Sequence, residues 1–162
     1  MALVLKESDW HGTLKDASAQ HYKLIIIVGS AGTGKTAMLH DVIKDYNVST
    51  INMGEELSKA LMATPLGLRS IKAEDTAEKL ILDAPTHQIA IDNIEILFES
   101  PMELNPLSFL KRISQSKTII VTWTGNYSNN TLTYGTPNQP ASQEFPLTVQ
   151  DTFHIIDTTI FS

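Results

Sequence analysis

Continuous apolar runs and helical apolar stripes alternate along this chain. After Lys23, residues 24–28 (LIIIV) form an unbroken apolar, mostly β-branched run, and the segment 23–28 predicts a strand buried on both faces. Residues 35–46 follow with apolar positions at helical spacing, and Asn47 is a plausible stop. A second strand is predicted over Val48–Asn52 and a turn at Asn52-Met53-Gly54. A helix is then predicted over Glu55–Met62, with Leu57, Leu61 and Met62 in phase, broken by Pro65 and Gly67. Residues 68–83 read as a further helix with Leu68, Ile71, Ala77, Leu80 and Ile81 facing inward. Strands follow at residues 87–91, 118–122 and 152–156. A turn region spans 94–102, and a helix opens at Asn105-Pro106 and runs to about Gln115. Ahead of the first strand, a short lead-in helix falls between Asp9 and Gln20, with Trp10 and Leu14 four apart on one face. It reads either as packing on the sheet edge or as a wall for a nucleotide base.

Residues 127–150 break the alternation. Tyr127-Ser128-Asn129-Asn130 and Tyr134-Gly135-Thr136-Pro137-Asn138-Gln139-Pro140 are rich in turn formers, and no helical period is present. The reading is a loop or hairpin excursion, with arms near Thr131–Tyr134 and Glu144–Thr148, forming a contact surface. Strands alternating with helices predict a single α/β domain over residues 1–162, a three-layer sandwich with a mostly parallel sheet. Numbered in chain order, the five predicted strands fit the additional-strand P-loop order 5-1-4-3-2, with no helical lid after the last.

The connection between the first strand and its helix carries the chemistry. Gly29-Ser30-Ala31-Gly32-Thr33-Gly34-Lys35-Thr36 matches G-x-x-x-x-G-K-T, the phosphate-binding P-loop pattern. A polyphosphate packs several negative charges into a small volume. Amide N–H groups can surround it only where no Cβ blocks the approach, which glycines permit. The following helix aims its free N–H groups and positive dipole end at the same place. The residues expected to bind nucleotide are therefore Gly29, Ser30, Ala31, Gly32, Thr33, Gly34, Lys35, Thr36 and Ala37. Lys35 supplies a mobile charge, and the Thr36 hydroxyl suits Mg²⁺.

The strand at 87–91 ends in Asp92, an apolar strand closing on a carboxylate as in the Walker B pattern, so Thr36 and Asp92 are the expected metal pair. ATP hydrolases of this layout usually place Glu next, to polarise the attacking water. Here Asn93 stands there, and Asn cannot act as a base at neutral pH. Glu95, one helical turn on, is the best substitute. After the fourth strand, Thr122, Thr124 or Asn126 could sense the terminal phosphate, with Thr124 and Asn126 preferred. The chain has only two arginines, and Arg112, ahead of Arg69, is the candidate finger in trans across an oligomer. The expected catalytic set is Lys35, Glu95, Asn126 and Arg112.

Composition narrows the setting. With 42% hydrophobic and 19% charged residues, the 162-residue chain can bury a core without staples. It has no cysteine, which excludes disulfides, thiolate metal sites and a cysteine nucleophile. The formal charge of −6 lacks the footprint of a strong autonomous DNA binder, so DNA contact is expected to be indirect or conditional. No apolar run is long enough to span a membrane, and Met1–Asp9 does not read as a signal peptide, so a cytoplasmic protein is expected. No guanine-reading Asn/Thr-Lys-x-Asp motif occurs, which favours ATP.

The P-loop, the Asp92-Asn93-Ile94-Glu95 strand end, the turn Asn52-Met53-Gly54-Glu55-Glu56-Leu57-Ser58 and a last strand close to residue 162 together resemble BrxF, the small P-loop protein of type-three BREX bacterial defence systems against phage. The resemblance implies nucleotide-site roles for Lys35, Thr36 and Asp92. It also implies a bacterial cytoplasmic protein that works with larger defence proteins on phage DNA. The resulting expectation is an Mg²⁺- and ATP-dependent ATPase subunit, slow alone, its site completed by a homo-oligomer or a partner. A nucleotide-binding scaffold without turnover is the alternative, suggested by Asn93. A small-molecule kinase is a further one, disfavoured by the shortage of arginines for a lid.

Overall fold

The computed structural model describes residues 3–5, 10–99, 102, 104–135 and 142–158, and Thr136-Pro137-Asn138-Gln139-Pro140 of the turn-rich segment lie outside them. The elements, in order, are β1 (Leu3–Leu5), α1 (Trp10–Ser18), β2 (Leu24–Gly29), α2 (Lys35–Asp45), β3 (Val48–Asn52), α3 (Met53–Met62) and α4 (Arg69–Leu82). There follow β4 (Gln88–Asp92), a 3-10 turn (Ile94–Phe98), α5 (Pro106–Ile113), β5 (Thr118–Ser128), β6 (Thr131–Tyr134), β7 (Gln143–Pro146) and β8 (His154–Asp157). The main sheet runs β1-β8-β2-β5-β4-β3, all pairs parallel, while β6 and β7 add an antiparallel meander to the far half of β5.

Helices cover both faces. On one face, Trp10, Leu14 and Ala17 of α1 and Leu39 and Val42 of α2 pack on Ile25, Ile27, Ala90, Ile120 and Ile156. On the other, α3, α4 and α5 close over Leu24, Ile26, Ile89, Ile91, Ile119, Val121 and Ile155. Central strands buried on both faces need apolar residues at successive positions, which is why β2 reads as an unbroken run. No described helix is long and apolar enough to cross a membrane.

Four sequence expectations change. The segment before the first strand contains a strand, β1, which extends the sheet beside β8, and α1 lies over a sheet face rather than on an edge. The turn expected at Asn52-Met53-Gly54 is the start of α3: Asn52 Oδ1 accepts the Glu55 N–H at 3.1 Å, and Glu56 Oε2 accepts the Asn52 N–H at 3.0 Å, a reciprocal N-cap. In α4 the buried stripe is Ala73, Ala77 and Ile81, four apart, whereas Ile71 is 71% exposed and Leu68, ahead of the helix, 40%. Two residues turn a helix by about 200°, so Ile71 and Ala73 lie on nearly opposite sides. Finally, β5 continues to Ser128 instead of ending at Thr122, because β6 pairs with its extension from Gly125↔Tyr134 to Ser128↔Thr131.

Candidate nucleotide site

The carboxyl ends of the central parallel strands meet at one level. In the sheet register Gly29 lies beside Thr124, and Asn52 beside Asp92. The loop between β2 and α2 rises from this edge. Gly32 and Gly34 have φ of 80° and 88°, the left-handed region that favours glycine. Gly34 is the N-cap of α2, and among the described residues no side chain caps the helix start. The first intrahelical bond runs from Met38 N–H to Gly34 O, so the N–H groups of Lys35, Thr36 and Ala37 face out of the helix end.

Gly29 is required for a different reason, its packing. A Cβ placed there would lie 2.0 Å from Thr158 Oγ1 and 2.4 Å from Thr33 Oγ1. Thr158, just past β8, is buried. Its Oγ1 lies 3.0 Å from Val28 O and 2.9 Å from Thr33 Oγ1, while Thr33 Oγ1 donates to Ser30 O at 2.8 Å. These hydroxyls tie the loop to the strand on its other side. Sequence reading missed Thr158, because its only signal is tertiary: β8 lies beside β2.

Lys35 is buried and folds back so that Nζ donates to Ser30 O at 2.8 Å. Burial pushes its pKa down, while the negative charges of Glu95 and Asp92 work in the opposite direction. Asp92 closes β4 and gathers three donors. Thr36 Oγ1 donates to Oδ2 at 3.2 Å, and the Asn93 N–H (3.0 Å) and the nearly buried Thr122 hydroxyl donate to Oδ1. Asn93 takes φ 56° and ψ 56°, which turns the chain sharply into the 3-10 turn. That turn presents Glu95, whose Oε1 accepts from Thr124 Oγ1 at 3.0 Å. Tyr134 of β6 faces the same region; its pKa is raised by burial and by the charges of Glu95 and Glu99.

Of the residues singled out from sequence, the fold thus gathers the loop Gly29–Gly34, Lys35, Thr36, Ala37, Asp92 and Glu95. Among the described residues, no side-chain hydrogen bond joins Asn126 to this cluster; it is exposed on β5, opposite Thr133. The two threonines of the same strand make the contacts instead. Arg112 lies elsewhere, donating to Glu78 at 3.0 Å and Glu74 at 3.1 Å. It sits in the last turn of α5, and Ser114 just beyond accepts the Lys23 N–H at the start of β2. A six-residue strand spans about 20 Å, so Arg112 is at the opposite end of the sheet from the loop. Arg69 caps α3, donating to the carbonyls of Thr64 and Met62. Trp10, the first residue of α1, is buried among sheet residues, and His21 lies before β2, at the sheet end away from the loop.

The donor set suits a hard cation. Thr36 and Asp92 offer oxygens only, and among the described residues no three His, Cys, Asp or Glu side chains cluster to cage a metal alone. Mg²⁺ is typically held by one or two protein oxygens together with phosphates, and this pair fits that pattern. Comparison with known proteins returns no matching family model and no matching curated protein.

Proposed function

We propose that this chain is a P-loop protein of the additional-strand type that binds Mg²⁺–ATP and hydrolyses it. One observation carries the reading: Lys35, Thr36 and Asp92 converge at the uncapped start of α2, with Thr36 Oγ1 3.2 Å from the Asp92 carboxylate. The strand order β8-β2-β5-β4-β3 supports the additional-strand assignment. In this reading the backbone N–H groups of residues 32–37 and the Lys35 ammonium hold the phosphates. Thr36 and Asp92 hold Mg²⁺, which when bound offsets phosphate charge. Glu95 accepts the proton of the attacking water.

Arg112 is paired with glutamates at the far end of the sheet and Arg69 with carbonyls at the end of α3, so turnover by a single chain is slow and a further cation comes from an oligomeric neighbour or a partner protein. The anti-phage setting rests on the resemblance to BrxF alone. The second reading, a scaffold that binds nucleotide without turnover, is favoured by Asn93, which stands where the usual glutamate would follow Asp92.

Titration calorimetry of the full chain with ATP and Mg²⁺, wild type against Lys35→Ala, tests binding. Saturable uptake lost in the variant is the expected result. No uptake, or uptake untouched by the substitution, overturns the proposal. Phosphate release by the wild type and its loss in Glu95→Gln separate the ATPase from the scaffold.

A further inference from the structure

Glu95 is an exposed glutamate, and a free glutamate side chain samples many rotamers. Here it is restrained from two directions. The backbone of its 3-10 turn is held through Phe98. That ring stacks on Tyr134 at 3.7 Å and 6°, and it meets Trp123 edge-on at 5.0 Å. The Phe98 carbonyl accepts from Gln143 Nε2 at 3.1 Å. The meander of β5, β6 and β7 therefore grips the turn, and Trp123 is in turn tied to β6 by its Nε1–H donating to Thr133 O. The carboxylate is held by Thr124, whose hydroxyl donates to Oε1 at 3.0 Å. Thr124 is level with Gly29, the first residue of the loop, so the strand beside the loop strand sets where that carboxylate sits.

We propose that Thr124 is a positioning residue for Glu95: it fixes Oε1 by a hydrogen bond, leaving Oε2 to receive a proton from water, and does not itself contact the terminal phosphate. This rests on the ATPase reading above. Thr124 is half-buried, and its partner Glu95 faces the loop lysine closely enough for its charge to act on Lys35. A general base contributes about 10²–10⁴-fold when held in place. Releasing it to rotate forfeits part of that, about 10-fold.

The experiment compares wild type, Thr124→Val, Thr124→Ser, Glu95→Gln and the Thr124→Val/Glu95→Gln double variant as full chains, using phosphate release and fluorescent ATP and ADP analogues. Thr124→Val is expected to lower kcat about 10-fold with KM and both affinities within about twofold of wild type. Thr124→Ser, which keeps the hydroxyl, restores kcat. In the Glu95→Gln background, Thr124→Val has no further effect, since it acts through that side chain. Unchanged kcat in Thr124→Val overturns the proposal. So does a selective loss of ATP over ADP affinity, which would make Thr124 a phosphate contact, or an additive loss in the double variant. A wild type that binds ATP but never releases phosphate also overturns it, by removing the base role from Glu95. A wild type that binds no nucleotide refutes the underlying reading instead.

Discussion

In the proposed function Asp92 has two separable jobs, one within the fold and one toward the metal, and substitution can split them. Its carboxylate accepts from the Thr122 hydroxyl, the Asn93 N–H at 3.0 Å and Thr36 Oγ1 at 3.2 Å. Asp92→Asn keeps an oxygen for the first two donors but makes it neutral. Hydrogen bonds to charged groups contribute about 1.5–3 kcal/mol and neutral ones about 0.5–1.5, so the two retained bonds lose about 2 kcal/mol together. Asp92→Ala leaves the Thr122 hydroxyl, only 5% exposed at the residue level, without its acceptor and frees the Asn93 N–H. That costs about 2–4 kcal/mol. In a domain of this size each kcal/mol moves Tm by about 2–4 °C, so the asparagine variant should melt about 4–8 °C lower and the alanine variant further still. Toward the metal the two variants should behave alike, because both remove the carboxylate charge. Calorimetry of ATP with and without Mg²⁺ should find the wild type gaining affinity from the metal. In Asp92→Asn that gain should shrink at least tenfold, about 1.4 kcal/mol, with metal-free binding little changed. A full metal gain in Asp92→Asn, measured where the variant is folded, would refute the assignment and leave Asp92 a structural tie.

Gly29→Ala puts a methyl 2.0 Å from Thr158 Oγ1, and overpacking of this kind costs about 1–3 kcal/mol. Adding Thr158→Ala should recover part of the loss in thermal unfolding, and a strictly additive pair would refute the contact. His154 is buried, and burial lowers its pKa although the charge of Asp16 works the other way. Below its unfolded pKa the unfolded chain takes up more protons than the folded one, so stability is complete above about pH 6.5 and is lost as pH falls through the folded pKa. The urea midpoint should accordingly be lower at pH 5.5 than at pH 7.5. His154→Phe should narrow that difference, and an unchanged difference would count against the histidine.

The residues that sequence could deliver are those whose signal is local. Gly29–Thr36 spells its own loop, and Asp92 is announced by the apolar run before it, because a doubly buried strand and a glycine turn each leave a pattern within about ten residues. Thr158 was invisible as a site-shaping residue, and Thr122, legible only as one of three candidate phosphate sensors, donates to Asp92 instead, since each acquires its role from a neighbouring strand far away in the chain. The three-residue β1 is too short to leave a periodic trace, and the extension of β5 depends on β6 being there to pair with it. At the start of α4 the apolar residues Leu68, just ahead of the helix, and Ile71 misled, because composition without phase does not identify a buried face.

The location of Arg112, by the amino ends of the strands, constrains any assembly that would use it. A guanidinium on that side reaches another copy's loop when molecules stack the same way round, top of one onto bottom of the next, or when two lie side by side pointing opposite ways. Identical contacts repeated in one direction either curve back into a closed ring or run on as a filament. A two-fold dimer that brings two loops face to face would leave both Arg112 side chains on its outer surfaces, so the way copies face one another decides whether an assembly can share this cation.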